Sequence, residues 1–152
     1  KMYSPMTSHE WRAAYCEFMA GHDVVYLSEH RGSWGEDWGE SSLHRTNPDC
    51  VLFPISITRA AALKAALARN AACYPIWRLR PLVTSPAALD ALRRCGRGIV
   101  IDDAHTPFAK AVAHDLASLT GANMTVLGLE DRTAGFYRDN LPHTVEQIME
   151  AI

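Results

Sequence analysis

The sequence predicts an α/β domain of three layers, a mostly parallel central sheet with helices on both faces. Three observations predict it. Buried-strand runs alternate with alanine-rich helical runs through residues 49–130, the order of successive βαβ units. Ser85-Pro86 and Thr106-Pro107 each place a capping hydroxyl before a helix-opening proline, and Gly96 and Gly121 close the two helices. The runs DCVLFPISI and IVI are continuously apolar, as strands buried on both faces are.

Each element follows in order. Thr7-Ser8-His9-Glu10 spells a capping box, and Trp11, Tyr15, Phe18 and Met19 recur at helical spacing up to Gly21, which predicts a helix over about residues 8–20. HDVVYL at 22–27 reads as a strand, and the polar, glycine-bearing stretch from Ser28 to Asn47 as a long loop. DCVLFPISI (49–57) is a strand running into Thr58, read as the N-cap of a helix to about Asn70. YPIWRLRPLV (74–83) alternates like a strand. The Ser85 and Thr106 helices follow, separated by a strand near 98–102, the second with an apolar face of Phe108, Val112, Leu116 and Leu119. Met124–Leu129 is a further strand, and a last helix follows Pro142. The parallel sheet is therefore expected to hold strands near 50–55, 74–80, 98–102 and 124–129.

Composition bounds the function. With 152 residues, 48% hydrophobic and 21% charged, the chain fits a single α/β domain: an N-terminal helix, strand and loop over 1–48, a core over 49–132 and a C-terminal helix over 133–152. A net charge of −2 gives no broad basic surface, so nucleic acid is not an expected partner. No apolar run reaches the roughly 18 residues of a membrane span, and no signal-peptide layout opens the chain, so a cytoplasmic location is expected. Cys16, Cys50, Cys73 and Cys95 contain no CxxC pair and read as reduced core or near-core thiols.

The stretch IVIDDAHTPFAKA (99–111) raises the functional question, because it places two like charges at the end of a buried strand. In parallel α/β sheets, ligands bind outside the carboxyl ends of the strands, near helix N-termini. Asp102 and Asp103 at that position can accept hydrogen bonds from vicinal hydroxyls, as on a ribose, or hold Mg²⁺. Equally, they can be a solvated loop that favours the helix N-terminus at Thr106 by about 0.3–1 kcal/mol.

The order of elements, with the segments DCVLFPISITRAAALKAALARNAACYPIWRLRP and IVIDDAHTPFAKAVAHDLASLTGANMTVLGLEDR, resembles the type I phosphoribosyltransferase family over about residues 49–132. The resemblance implies a site for phosphoribosyl pyrophosphate or a nucleotide, with Mg²⁺. Asp102 and Asp103 would bind the ribose hydroxyls as the catalytic acids, and Thr106, Lys110, Thr58 and Arg59 would take phosphate. Arg78 and Arg80, two apart on a strand and so on one side of it, would take pyrophosphate. A homodimer is the matching assembly. The phosphate loop departs from the family pattern: Pro107 removes a backbone donor and Phe108 adds bulk where a phosphate would approach. PISITRA also lacks the glycine often found in the pyrophosphate loop. Those departures point to an alternative, a non-catalytic relative serving as a regulatory or assembly module.

Other features weigh less. Trp34 and Trp38 can stack on a base or tack the loop to the core. His105 is a candidate base, and more often such a residue is a structural hydrogen-bonder. A metal set drawn from His22, Asp23, His30 and Glu36 has no supporting spacing, so no metal-ligating residues are assigned. The absence of GxSxG, GxxxxGK[ST] and GxGxxG disfavours hydrolase, Walker-type and dinucleotide-binding readings.

Overall fold

The computed structural model describes residues 1–21, 23–29, 42–129 and 142–152, with residues 104 and 105 described by their backbone alone. The chain starts with β1 (Met2–Tyr3), α1 (Ser8–Ala20) and β2 (Tyr26–Leu27). Next come β3 (Cys50–Pro54), a 3-10 turn (Ser56–Thr58), α2 (Arg59–Ala68), β4 (Ala71–Cys73), β5 (Arg78–Arg80), β6 (Leu82–Val83) and α3 (Pro86–Cys95). The last elements are β7 (Arg97–His105), α4 (Thr106–Thr120), β8 (Asn123–Leu129) and α5 (Val145–Ala151).

The three-layer α/β architecture is present. A four-stranded parallel sheet runs in the order β4-β3-β7-β8. Alternate residues of its central strands feed two separate cores, which is the period of two expected of a strand covered on both faces. Val51, Phe53 and Val100 pack with Leu92 of α3 and Val112 and Leu116 of α4. Cys50, Leu52, Ile99 and Ile101 pack with Ala62, Ala65 and Ala66 of α2 and Ile148 of α5. The alanines matter here, because small side chains let α2 sit close on the sheet.

A second, mixed sheet has the order β2-β1-β5-β6, with β1 parallel to β2 and antiparallel to β5. It corrects part of the expectation for 74–80. The chain beside β3 starts at β4 (71–73) and continues in parallel through Tyr74 and Ile76, whose amides donate to the Leu52 and Pro54 carbonyls. The expected strand therefore holds over 74–76, while Arg78–Arg80 turns away to pair with Met2 and Tyr3. Alternation along YPIWRLRPLV was read correctly as extended chain, but pairing partners are non-local and the pattern does not name them. Of HDVVYL only Tyr26 and Leu27 are in a described strand.

Local caps behave mostly as their chemistry dictates. Thr7 and Glu10 form the capping box, Ser85 accepts from the Ala88 amide, and Gly96 closes α3 at φ 72°. Thr58 differs: its hydroxyl donates to the carbonyls of Ile55 (2.6 Å) and Ile101 (3.1 Å) and caps nothing. Thr106 differs likewise, since it is the first residue of α4 and its hydroxyl donates to Leu129 O at 2.6 Å. The stripe on α1 is also reversed, because Glu10 and Ala14 are buried while Tyr15, Phe18 and Met19 face outward. All four cysteines are free; Cys50 and Cys73 are buried, but Cys16 is exposed.

Candidate functional site

The ladder between β7 and β8 slips where the paired carboxylates lie. Ile101 faces Leu127, but the next pair is His105 with Leu129, so extra residues on β7 bulge out around Asp102 and Asp103. Bulges of this kind re-aim side chains at the ends of strands. Asp102 is buried at 2% exposure and Asp103 is half-buried. Both line a cleft of about 300 Å³ at the carboxyl ends of β3 and β7, together with Ser56, Phe108, Ser4 and Glu29. Ser56 occupies the left-handed region at φ 56°, a conformation costly for a residue with a Cβ, and is held there by burial.

The other candidate residues do not converge on this cleft. Thr106 and the exposed Lys110 line a shallow groove between α4 and β8, on another part of the surface. Thr58 is wholly buried, with its hydroxyl committed to two carbonyls. Arg80 pairs with Asp115 of α4, and Arg78 pairs with Glu17 of α1 while stacking over Trp77 at 4.6 Å. Arg59 is 6% exposed and donates from Nη1 to Glu10 Oε1 at 2.9 Å.

A larger cavity of about 590 Å³ lies beside that pair, lined by His9, His44, Arg59, Tyr74, Trp77 and Arg78 among others. His44 Nδ1 is 3.1 Å from the Tyr74 hydroxyl, with the two rings edge to face. Burial raises the Tyr74 phenol above its ordinary value. Sequence reading missed this cavity because its walls come from α1, the loop before β3, α2 and the chain after β4. No short motif spans them. Trp34, Trp38, His22, His30 and Glu36 lie outside the described residues, and the His105 side chain is not described. Among the described residues, no cluster of three or more His, Cys, Asp or Glu is arranged to hold a metal ion, and no helix is long and apolar enough to cross a membrane.

No protein-family model matches the chain, and no curated protein matches it. Among solved structures, a chain titled "Split gene transketolase, inactive beta4 tetramer" superposes with a TM-score of 0.72 at 16% identity. The match covers 99% of this chain and 55% of that one, so this chain spans about half the length of its structural neighbour. At that identity the likeness is one of fold, and it extends over both sheets described above.

Proposed function

We propose that this chain is a non-catalytic assembly module that joins to a second copy of itself through the outer face of α1. The observation that carries the reading is a group of large apolar side chains left outside the core. Tyr15, Phe18 and Met19 are 54%, 48% and 79% exposed, and Val24 and Tyr26 are 86% and 57% exposed on the segment that follows. Trp11 stacks on Tyr15 with ring centroids 6.0 Å apart, which extends the apolar surface along the helix. Isolated exposed apolar residues are ordinary, whereas a contiguous set on one helix marks an interaction surface. The neighbouring fold is titled as a tetramer of one kind of chain, which supports a second copy as the occupant. Arg78 and Arg80, the arginines that would take pyrophosphate, are engaged with Glu17 and Asp115, which supports the non-catalytic part.

Light scattering on the purified chain from low micromolar to submillimolar concentration tests the proposal. A mass above that of one chain is expected, falling to one chain in Phe18→Glu with Met19→Glu while the far-ultraviolet dichroism stays unchanged. A wild-type chain that remains monomeric throughout that range overturns it.

A second reading, binding of phosphoribosyl pyrophosphate or a nucleotide, is favoured by the placement of Asp102, Asp103 and Ser56 in one cleft at the strand ends. The two carboxylates would hold Mg²⁺ jointly with the ligand's phosphates, because Mg²⁺ is often bound by one or two carboxylates and substrate oxygens. Calorimetric titration with phosphoribosyl pyrophosphate and with nucleoside monophosphates, each with Mg²⁺, on the wild type and on Asp102→Asn with Asp103→Asn, separates the two readings by whether binding depends on these carboxylates.

A further inference from the structure

The guanidinium of Arg59 has an unused edge. Its Nη1 is satisfied by Glu10, but Nε and Nη2 are buried and have no hydrogen-bond partner. Buried polar atoms in folded proteins are almost always paired, and a charged donor left unpaired is costlier than a neutral one. Nε–H and Nη2–H lie side by side on the guanidinium and point the same way, the spacing that matches two oxygens of a carboxylate or phosphate. The side chain lies in the wall of the 590 Å³ cavity, a size usual for small-molecule sites.

We propose that this cavity is a binding site for a small organic anion, whose carboxylate or phosphate sits on the Nε/Nη2 edge of Arg59. The remaining walls suit such a ligand. His9 and His44 supply ring nitrogens, Tyr74 a hydroxyl, and Trp77 with Val83 an apolar surface for the ligand's body. Glu10 turns one oxygen toward Arg59 and uses the other to accept from the amides of Met6 and Thr7 at 2.8 and 3.2 Å. The carboxylate is therefore held on the Nη1 side of the guanidinium and makes no bond to the second edge. Arg78 lines the same cavity, with its charge shared with Glu17. The site is distinct from the cleft at Asp102 and from the outer face of α1, so its failure leaves self-association unaffected.

Inorganic phosphate and benzoate are suitable probes, followed by calorimetry and by thermal melting against sodium chloride at matched ionic strength. Both should bind saturably and raise the melting temperature beyond the chloride control, benzoate by more than its carboxylate alone because it also meets Trp77. Arg59→Lys keeps a cation against Glu10 but loses the fork, and should weaken both probes tenfold or more. His44→Ala removes a wall without touching the Arg59–Glu10 pair, and should weaken benzoate severalfold even if the lysine variant folds poorly. The proposal is overturned if neither probe outperforms chloride, which would leave water as the partner of Nε and Nη2. Binding that is unchanged in the folded variants overturns it as well.

Discussion

Arg59 donates to Glu10 at 2.9 Å across 49 residues of sequence, and both side chains are more than nine-tenths buried. One carboxylate thus completes the capping box of α1 and ties that helix to the start of α2. Removing one partner of a buried pair leaves the other charge uncompensated, which typically costs about 3–5 kcal/mol. Glu10→Ala should lose stability on that scale in urea unfolding, with an unchanged m-value. The double variant Glu10→Ala with Arg59→Ala should lose less than the two single losses combined. A Glu10→Ala loss below about 1 kcal/mol would place the pair among weak, solvated ion pairs.

The thiols divide by depth. Cys16 is exposed, Cys95 is partly covered, and Cys50 and Cys73 are fully buried, with burial raising their thiols to about 11 and about 12. Since the thiolate is the reactive form, an aromatic disulfide reagent near neutral pH should label Cys16 quickly and Cys95 more slowly. Cys50 and Cys73 should react only once the chain unfolds. Rapid labelling of all four in native buffer would mean that the α2 face of the sheet opens readily.

Those contrasts show what the residues disclosed in advance. Elements with local grammar were legible: Ser85-Pro86 with Gly96, the Thr7–Glu10 box, the buried runs that became β3 and β7, and the strand expected at Met124–Leu129. Partners distant in sequence were not. Nothing near Arg78 announces that its strand pairs with Met2 and Tyr3 instead of extending the parallel sheet. The period in Trp11, Tyr15, Phe18 and Met19 identifies an apolar face of α1 but not whether the chain itself covers it, and here Ala14 and Glu10 face the interior. For the site, the strand-end position of Asp102 and Asp103 was readable from IVIDD, whereas the cavity at Arg59 joins segments as far apart as His9 and Ser85.

Close approach makes Gly128 a sensitive position. A Cβ there would lie 2.9 Å from Thr106 Cα and 3.0 Å from Thr106 Oγ1, so backbone would have to move. Gly128→Ala should destabilise by about 1–3 kcal/mol, the range of overpacked substitutions. Thr106→Val, which removes the bond to Leu129 O, should cost about 0.5–1.5 kcal/mol. Guanidinium unfolding of both variants measures this. A neutral Gly128→Ala would show that β8 can slide relative to α4.

Alkaline stability follows from four buried acids, one of them Tyr74, whose phenol is raised by burial. Tyr3 is raised to about 12, first by burial and then by its hydrogen bond to the Glu17 carboxylate and that group's charge, and Cys50 and Cys73 are raised to about 11 and about 12 by burial. Each keeps its proton in the folded state at pH values where the unfolded chain has released it, so stability falls as pH rises. Their contribution is complete below the ordinary thiol value of 9.0 and is lost progressively up to about 12. Denaturation midpoints measured from pH 8 upward should stay level to about pH 9 and then decline. Tyr3→Phe should remove its own share of that decline, which begins at the ordinary phenol value of 10.0, and leave the shares of the thiols and of Tyr74.

Asp102 and Asp103 separate the two functional readings. Asn at both positions keeps the size of each side chain and removes two adjacent charges from a cleft that also holds Glu29. If the chain is an assembly module joined through α1, Asp102→Asn with Asp103→Asn leaves its mass by light scattering unchanged. Folding should then hold or improve, because repulsion between neighbouring carboxylates is relieved. Any binding of phosphoribosyl pyrophosphate with Mg²⁺, on the Arg59 edge for instance, should then be the same in the wild type and the double variant. A wild-type chain that binds this ligand, and a double variant that binds it at least tenfold more weakly, on the order of 1.4 kcal/mol, would instead assign the cleft to the ligand. Arg78 and Arg80 could meet such a ligand's phosphates only after leaving Glu17 and Asp115, and Arg59 lies in the wall of the other cavity. Glu17→Gln, which frees Arg78 without entering the cleft, tests that condition: tighter binding than wild type shows that the pair competes with phosphate, and unchanged binding shows that Arg78 takes no part.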